Sequence, residues 1–263
     1  MSLTGKSPSE TYKDIFTVNN NNGGVDSTTR TILTGDGSST SLSVSDRTLK
    51  VKSSTNNTSA FDVQNASGSS LFTVDSTNSA VKAVGNHLNT QYAYFGIGAG
   101  DSSNFAADTH YPLPFNSMSI GSATLQDNIT FGTSGEPATT FTTADATATD
   151  ASLLVPILWY VPDDISIDAV YSIEGLEASS TLTTRCHLYS YTFTSGSTSA
   201  LTSGTLLAHN SDVTNAGSEQ AYLSTWTVDS ASVSAEKAIL AFFRMDSSAD
   251  NPAVSITVKY HLT

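Results

Sequence analysis

The sequence is short of charged residues and nearly free of cysteine. Charged residues make up 13% of the 263 positions, about half the usual share, whereas serine and threonine supply 42 and 37 residues. Cys186 is the single cysteine, so no disulfide can form within one chain. Threonine favours strands and serine favours turns, so this composition indicates β structure stabilised by packing or by association of chains.

Basic residues are scarce, with 11 Lys and Arg against 24 Asp and Glu and a net charge of −13. Residues 1–84 carry seven charges of each sign, so the whole excess lies in 85–263 and indicates a boundary near Gly85. Phosphate binding needs clustered Lys and Arg, so the larger part is not expected to bind nucleic acid. Solubility explains the acidity, with a calcium site or a basic receptor patch as alternatives.

Long apolar runs are also missing. None approaches the ~18 residues of a membrane span, so no membrane insertion is expected. The N-terminus, Met1 to Lys6, is polar and has no signal-peptide core. We therefore expect a chain made in the cytoplasm that does not leave by the general secretory route.

Motifs for catalysis and cofactor binding are absent. The sequence has no Gly-x-Ser-x-Gly elbow, phosphate-binding loop or His-Glu-x-x-His helix. Its five histidines are not spaced as metal ligands. Cys186 and His187 are strand neighbours, which predicts a buried cysteine and an outward histidine. We expect no enzyme, no cofactor and no metal.

Two acidic patterns keep alternatives open. Paired carboxylates across a groove could hydrolyse a glycan, and the densest acidic cluster comprises Asp163, Asp164, Asp168, Glu174 and Glu177. Asp36-Gly37 and the stretch 101–104 are the best calcium-loop candidates, although turn chemistry explains both.

The most informative stretch is 60–77. Phe61 and Phe72 are eleven residues apart, as are Val63 and Val74, and each pair reads apolar-polar-apolar. This alternation predicts short strands with one buried face around an Asn-Ala-Ser-Gly turn, and an earlier copy is predicted at 15–19. Strands so short cannot bury themselves, so we expect them to pack against copies of the same chain.

The N-terminal residues contain one candidate helix start, Ser7-Pro8-Ser9-Glu10. Tyr12, Ile15 and Phe16 would then form a small apolar face, a candidate docking peptide. The alternative is a disordered terminus.

The phrase AFDVQNASGSSLFTVDSTNSAVKAVG (60–85) resembles the shaft repeats of phage tail fibres and related trimeric appendages. Residues 4–45 are similar to N-terminal segments of fibre-like virion proteins from marine tailed phages. The resemblance implies a homotrimeric shaft, an N-terminal attachment to the particle and a distal β domain. The residues implied to face the three-fold axis and form the interface are Phe61, Val63, Phe72, Val74 and Val81.

Residues 151–263 indicate antiparallel β structure. Candidate strands are 153–161, 167–174, 182–193, 205–209, 222–228, 237–245 and 253–262. Turns every 8–15 residues predict a sandwich or jelly roll. Residues 92–97 form a further aromatic strand candidate, and 139–150 are expected to be an exposed loop. Aromatic residues that could form a stacking surface, or else belong to the core or a subunit interface, are Trp159, Tyr160, Tyr189, Tyr191, Tyr222 and Trp226.

Together these patterns predict an all-β protein: a short intertwined trimeric shaft followed by an antiparallel, jelly-roll-like β-sandwich. The predicted segments are 1–20 for docking, 21–85 for the shaft, 86–150 as a connecting region packed with the C-terminal domain, and 151–263 for the sandwich. The predicted function is a non-enzymatic tail fibre or appendage located in the virion. Its expected partners are its own copies, tail or capsid proteins and, as an open question, a host surface receptor. Alternatives are a capsid decoration or fibre protein, a glycan-directed hydrolase and a bacterial surface adhesin.

Overall fold

The computed structural model describes residues 16–20, 23–98, 105–116, 131–133, 135–143, 148–177, 181–215, 218–247 and 251–263. These residues contain twenty strands and one short α-helix, so the predicted all-β fold is confirmed. None of their helices is long and apolar enough to cross a membrane. The chain divides into two units, Met1–Leu88 and Asn89–Thr263. The four predicted segments are finer than this division and stay predictions.

The first unit consists of two separate four-stranded antiparallel sheets, each with its strands in chain order. The first meander contains β1 (Thr17–Val18), β2 (Arg30–Leu33), β3 (Ser39–Val44) and β4 (Leu49–Val51). The second meander contains β5 (Phe61–Gln64), β6 (Ser70–Asp75), β7 (Ala80–Ala83) and β8 (Asn86–His87). The short strands predicted in this part are therefore present.

The two meanders share one loop design. In the loop 34–38 the Thr34 amide donates to the Ser38 carbonyl at 2.9 Å, and in 65–69 the Asn65 amide donates to that of Ser69 at 2.9 Å. Gly37 and Gly68 occupy the same position with φ of 85° and 84°, a left-handed conformation that favours glycine. The two copies predicted from side-chain alternation are the paired strands β5 and β6 of one hairpin, and the repeated unit of the structure is the hairpin with its loop.

The second unit is a sandwich of two antiparallel sheets. Its strands are β9 (Thr90–Ile97), β10 (His110–Pro112), β11 (Trp159–Val161), β12 (Ile165–Glu177), β13 (Leu182–Thr192), β14 (Thr205–His209), β15 (Val213–Asn215), β16 (Gln220–Thr225), β17 (Thr227–Val228), β18 (Ser232–Val233), β19 (Lys237–Met245) and β20 (Asn251–Leu262). One sheet has the order β16-β12-β20-β9, with β18 beside β12. The other has the order β10-β19-β13-β14-β17, with β11 beside β19 and β15 beside β13.

The strand order is that of a jelly roll. The eight main strands, numbered 1 to 8 along the chain, are β9, β10, β12, β13, β14, β16, β19 and β20. They lie as 6-3-8-1 in the first sheet and 2-7-4-5 in the second. This double Greek-key arrangement confirms the predicted jelly-roll-like sandwich. The main core lies between the sheets, where Val170, Ile256 and Val258 of the first face Leu188, Ile239 and Phe243 of the second.

A second core covers the outer face of the β10-β19-β13-β14 sheet. Phe131, Phe141 and Ile157 are buried there against Tyr191 and Phe242. The apolar run 238–243 therefore belongs to a central strand that is buried on both faces.

Three local predictions were wrong. Residues 153–161 are not one strand: an α-helix, α1 (Ala151–Leu154), and a 3-10 turn (Val155–Ile157) precede β11. The Asp150 carboxylate caps this helix by accepting from the Ser152 amide at 2.9 Å, and Pro156 cannot donate to a ladder. The predicted strand 222–228 is divided between the two sheets.

The third error concerns 139–150, which is not wholly an exposed loop. Phe141 and Thr143 are buried, and Phe141 forms a bridge with Leu201. The Ala, Thr and Asp composition of this stretch suggested a loop, but its one aromatic residue, Phe141, packs in the second core.

Candidate functional site

The second meander gathers its apolar side chains on one face. Phe61 lies opposite Val74, Val63 opposite Phe72, and Val74 opposite Val81. Directly opposed residues in antiparallel strands share a face, so all five predicted interface residues lie together. Phe61, Val63 and Val81 are exposed by 43%, 42% and 39%. The rings of Phe61 and Phe72 meet edge to face with centroids 6.2 Å apart.

The opposite face of the second meander is polar. Asp62 lies opposite Thr73, which lies opposite Lys82. The Asp62 carboxylate accepts from Gln64 at 2.6 Å and from Ser70 at 3.0 Å. These hydrogen bonds, that of Gln64 first, lower the pKa of Asp62. The second meander thus has one polar face and one apolar face.

The first meander has a matching apolar face. Leu42 lies opposite Val51, and Val44 lies opposite Leu49. Leu49 is 70% exposed. A groove of about 510 Å³ is lined by residues of both meanders, including Leu49, Val51, Phe61 and Val74. The two apolar faces therefore meet at one groove within the first unit.

The first unit has almost no core of its own. Among its described residues only Asp75 and Ala80 are buried. Asp75 is held by local bonds, accepting from the Asn78 side chain at 2.8 Å, and that contact is the largest cause of its lowered pKa. A unit whose described residues bury one alanine as their only apolar side chain lacks the usual source of folding free energy.

The docking residues are only partly described. Tyr12 and Ile15 lie outside the described residues, as does the helix start predicted at 7–10. Phe16 lies immediately before β1 and is 68% exposed. The docking role stays a prediction.

The acidic cluster does not form an open carboxylate pair around Glu174. Glu174 is fully buried in the sandwich, because it alternates with outward residues on β12. Its carboxylate accepts from Ser172 at 2.8 Å, Asn210 at 2.7 Å and Thr184 at 2.5 Å. Burial raises its pKa, and these three bonds act in the opposite direction. A substrate has no path to this group, so it supports structure and not hydrolysis.

The network around Glu174 reaches two further elements. Asn210 also accepts from the Cys186 amide at 2.7 Å, and Trp226 donates to the Ser172 hydroxyl at 2.8 Å. Sequence reasoning placed Glu174 in a candidate catalytic cluster because five acidic residues lie between positions 163 and 177. Its position among Ser172 and Leu176 on a strand was the available signal of burial.

His187 lies on the outer face of its sheet, as predicted, but it is buried and not exposed. Glu136 covers it, with Nε2 of His187 and Oε2 of Glu136 2.7 Å apart. The ring of His110, which is also buried, meets it edge to face at 5.0 Å. No described residue bonds either ring nitrogen of His110. Cys186 points the other way into the main core, where burial raises the pKa of its thiol.

Burial keeps this histidine pair neutral. It lowers the pKa of both His110 and His187 to about 3. The pair also opposes its own charging, and Arg185 and Arg244 nearby act in the same direction. Glu136 raises the pKa of His110 by a smaller amount.

Most aromatic residues singled out from the sequence are core residues. Trp159, Tyr189, Tyr191 and Trp226 are buried, and Tyr222 is half-buried against the main core. Tyr160 is exposed. The exposed tyrosines of the open sheet are others, Tyr92, Tyr94 and Tyr171, and their alternation with Ala93, Phe95 and Ser172 was the signal that could have identified them.

No protein-family model and no curated protein sequence matches the chain. The function proposed below therefore depends on these surfaces and on the sequence resemblance of residues 4–85.

Replacing Glu174 by alanine is expected to destabilise the sandwich by about 3 kcal/mol, because three donors lose their acceptor inside the core. Urea unfolding followed by tryptophan fluorescence measures this, since Trp159 and Trp226, the two tryptophans of the chain, both lie in the second unit. Glu219→Ala at an exposed site is the control. Equal stability of the two variants would refute the network's role.

The histidine pair predicts acid sensitivity between pH 6.5 and 3. The unfolded chain takes up these protons near pH 6.5, whereas the folded chain resists until about pH 3. The free energy of unfolding should thus fall on acidification by up to about 1.4 kcal/mol per pH unit for each histidine. Above pH 6.5 the pair should contribute no slope.

Urea unfolding between pH 4.5 and 7.5 tests this acid sensitivity. His110→Gln with His187→Gln should flatten the slope, and His87→Gln in the first unit should keep it. An unchanged slope in the double variant would contradict the assignment.

Proposed function

We propose that the protein is a non-enzymatic structural component of a virion, a homotrimeric tail fibre or appendage. Its first unit assembles three chains, and its second unit is the carried β-sandwich. The observation that supports this proposal is the uncovered apolar face of the second meander, which combines Phe61, Val63, Phe72, Val74 and Val81 in a unit without a core.

Association through faces is the form of assembly that we propose. The strands of each meander pair within one chain, so three copies need not exchange strands to satisfy the backbone. What remains unsatisfied is the apolar surface, and burying it is worth roughly 25 cal/mol per Å². The neutral balance of residues 1–84, with seven charges of each sign, lets copies approach without repulsion.

The sandwich fits a carried domain. It has two cores of its own, and jelly rolls are recurrent in viral capsid and lectin domains, an analogy of architecture only. Attachment by the N-terminal residues to a tail protein, or to the capsid in the alternative of a decoration protein, belongs to this proposal. So does contact of the sandwich with a host surface.

Phe72→Asp is expected to dissociate the trimer and weaken association more than 100-fold, because three carboxylates would be buried without partners. Sedimentation equilibrium measures the mass, and tryptophan fluorescence checks that the second unit stays folded. Ser67→Asp is the control, since Ser67 is exposed in the loop 65–69 of the same meander, away from the apolar face. An unchanged mass for Phe72→Asp, or equal dissociation by both variants, would contradict the proposal.

A further inference from the structure

One outer face of the sandwich is covered by other residues of the same unit, and the other outer face is exposed. The outer face of the β10-β19-β13-β14 sheet lies beneath the second core, which the same unit supplies. The outer face of the β16-β12-β20-β9 sheet has no such layer among the described residues. Leu223 is 75% exposed there and Ile173 is 55% exposed.

The register of this sheet sets its outward side chains in rows. One row runs across four strands through Thr225, Tyr171, Thr257 and Tyr94. A neighbouring row runs through Leu223, Ile173 and Ser255. We call the surface formed by these seven residues and Tyr92 the tyrosine face.

The tyrosine face carries no acidic residue, although residues 89–263 hold 17 acidic and 4 basic side chains. Lys259 lies beside it, opposite Tyr92. Asp168, near the start of β12, flanks the face, and its Oδ1 lies 2.9 Å from Nδ1 of His261. A charge-free aromatic centre with a polar rim is the composition of a protein association surface.

We infer that the tyrosine face is a second self-association surface, which packs against other copies of this chain. A domain with this excess of acid repels its own copies, and the tyrosine face lets two copies approach without opposing carboxylates. Ser255 and Thr257 have short side chains, so the centre of the face does not protrude. A second flat surface can therefore pack at about 10 Å from this sheet, the usual distance between packed sheets.

This inference rests on the proposed function. Three chains joined through the first unit hold their sandwiches at high effective concentration. A contact of modest affinity through the tyrosine face is then enough to associate the sandwiches. The first unit would then supply most of the affinity, and the tyrosine face would add to it.

Variants of the full chain separate the two surfaces. Val63→Asp with Phe72→Asp disables the first unit, and residual association that grows with concentration is expected in sedimentation equilibrium. Adding Ile173→Asp and Leu223→Asp should weaken this remaining association at least about tenfold. The matched control adds Val155→Asp, since Val155 is 73% exposed in α1's following turn, and it should change nothing.

Each other outcome refutes one of the two surfaces. If the V63D/F72D chain is monomeric at all concentrations, or if V155D acts as strongly as I173D/L223D, the tyrosine face does not self-associate. If V63D/F72D stays trimeric and dissociates only with I173D/L223D, the role of the first unit fails and this inference stands. Tryptophan fluorescence confirms folding of each variant.

A glycan is the other occupant that tyrosines could hold. If the V63D/F72D chain is monomeric and neutral oligosaccharides shift the NMR signals of Tyr92 and Tyr94, the tyrosine face binds glycan. Self-association through it would then be refuted.

Discussion

Burial of apolar surface is the constraint on which the first unit depends. Its strands are two to six residues long. The strands of each meander pair with one another, but the apolar faces of both meanders stay largely exposed. Hydrogen bonds add little net stability because water offers the same bonds to the unfolded chain. The side chains of Phe61, Phe72 and Val74 can contribute only if another surface removes them from water. The scarcity of buried side chains among the described residues of this unit is the physical reason for proposing that copies of the chain associate through it.

The second unit solves the same problem within one chain. Its two sheets enclose the main core, and Phe131 and Phe141 close a second core over one outer face. Buried polar groups are accommodated by specific partners, as Glu174 is by Ser172, Thr184 and Asn210. Only the tyrosine face remains uncovered among the described surfaces of its sheets. The two units thus differ in their described interiors: the second has two cores, and the first has almost none.

The sequence predicted the positions of the strands better than the burial of individual side chains. Period-two alternation located β5, β6 and β20, and turn spacing predicted the sandwich, because both signals are local. The burial of His187 and Phe141 depends on residues distant in the chain, which no local pattern reveals. For Glu174 the alternation along β12 indicated the inward face, but not the three side chains that donate to its buried carboxylate. Residues 153–158 were misassigned because a continuous apolar run does not distinguish a buried helix from a strand, and Asp150 and Pro156 were the overlooked signals.

The sequence predicted which residues form the candidate interface, but not how the strands arrange them. Alternation identified Phe61, Val63, Phe72 and Val74, the shaft resemblance added Val81 to the expected interface, and the register of β5 to β7 unites all five on one face. The tyrosine face was missed because Tyr92, Tyr94 and Tyr171 come from two strands whose adjacency to β20 is a property of the topology. Sedimentation equilibrium of the unmodified chain tests the central claim most directly. A mass of three times 27.5 kDa is predicted, and a monomer at all concentrations would contradict the account.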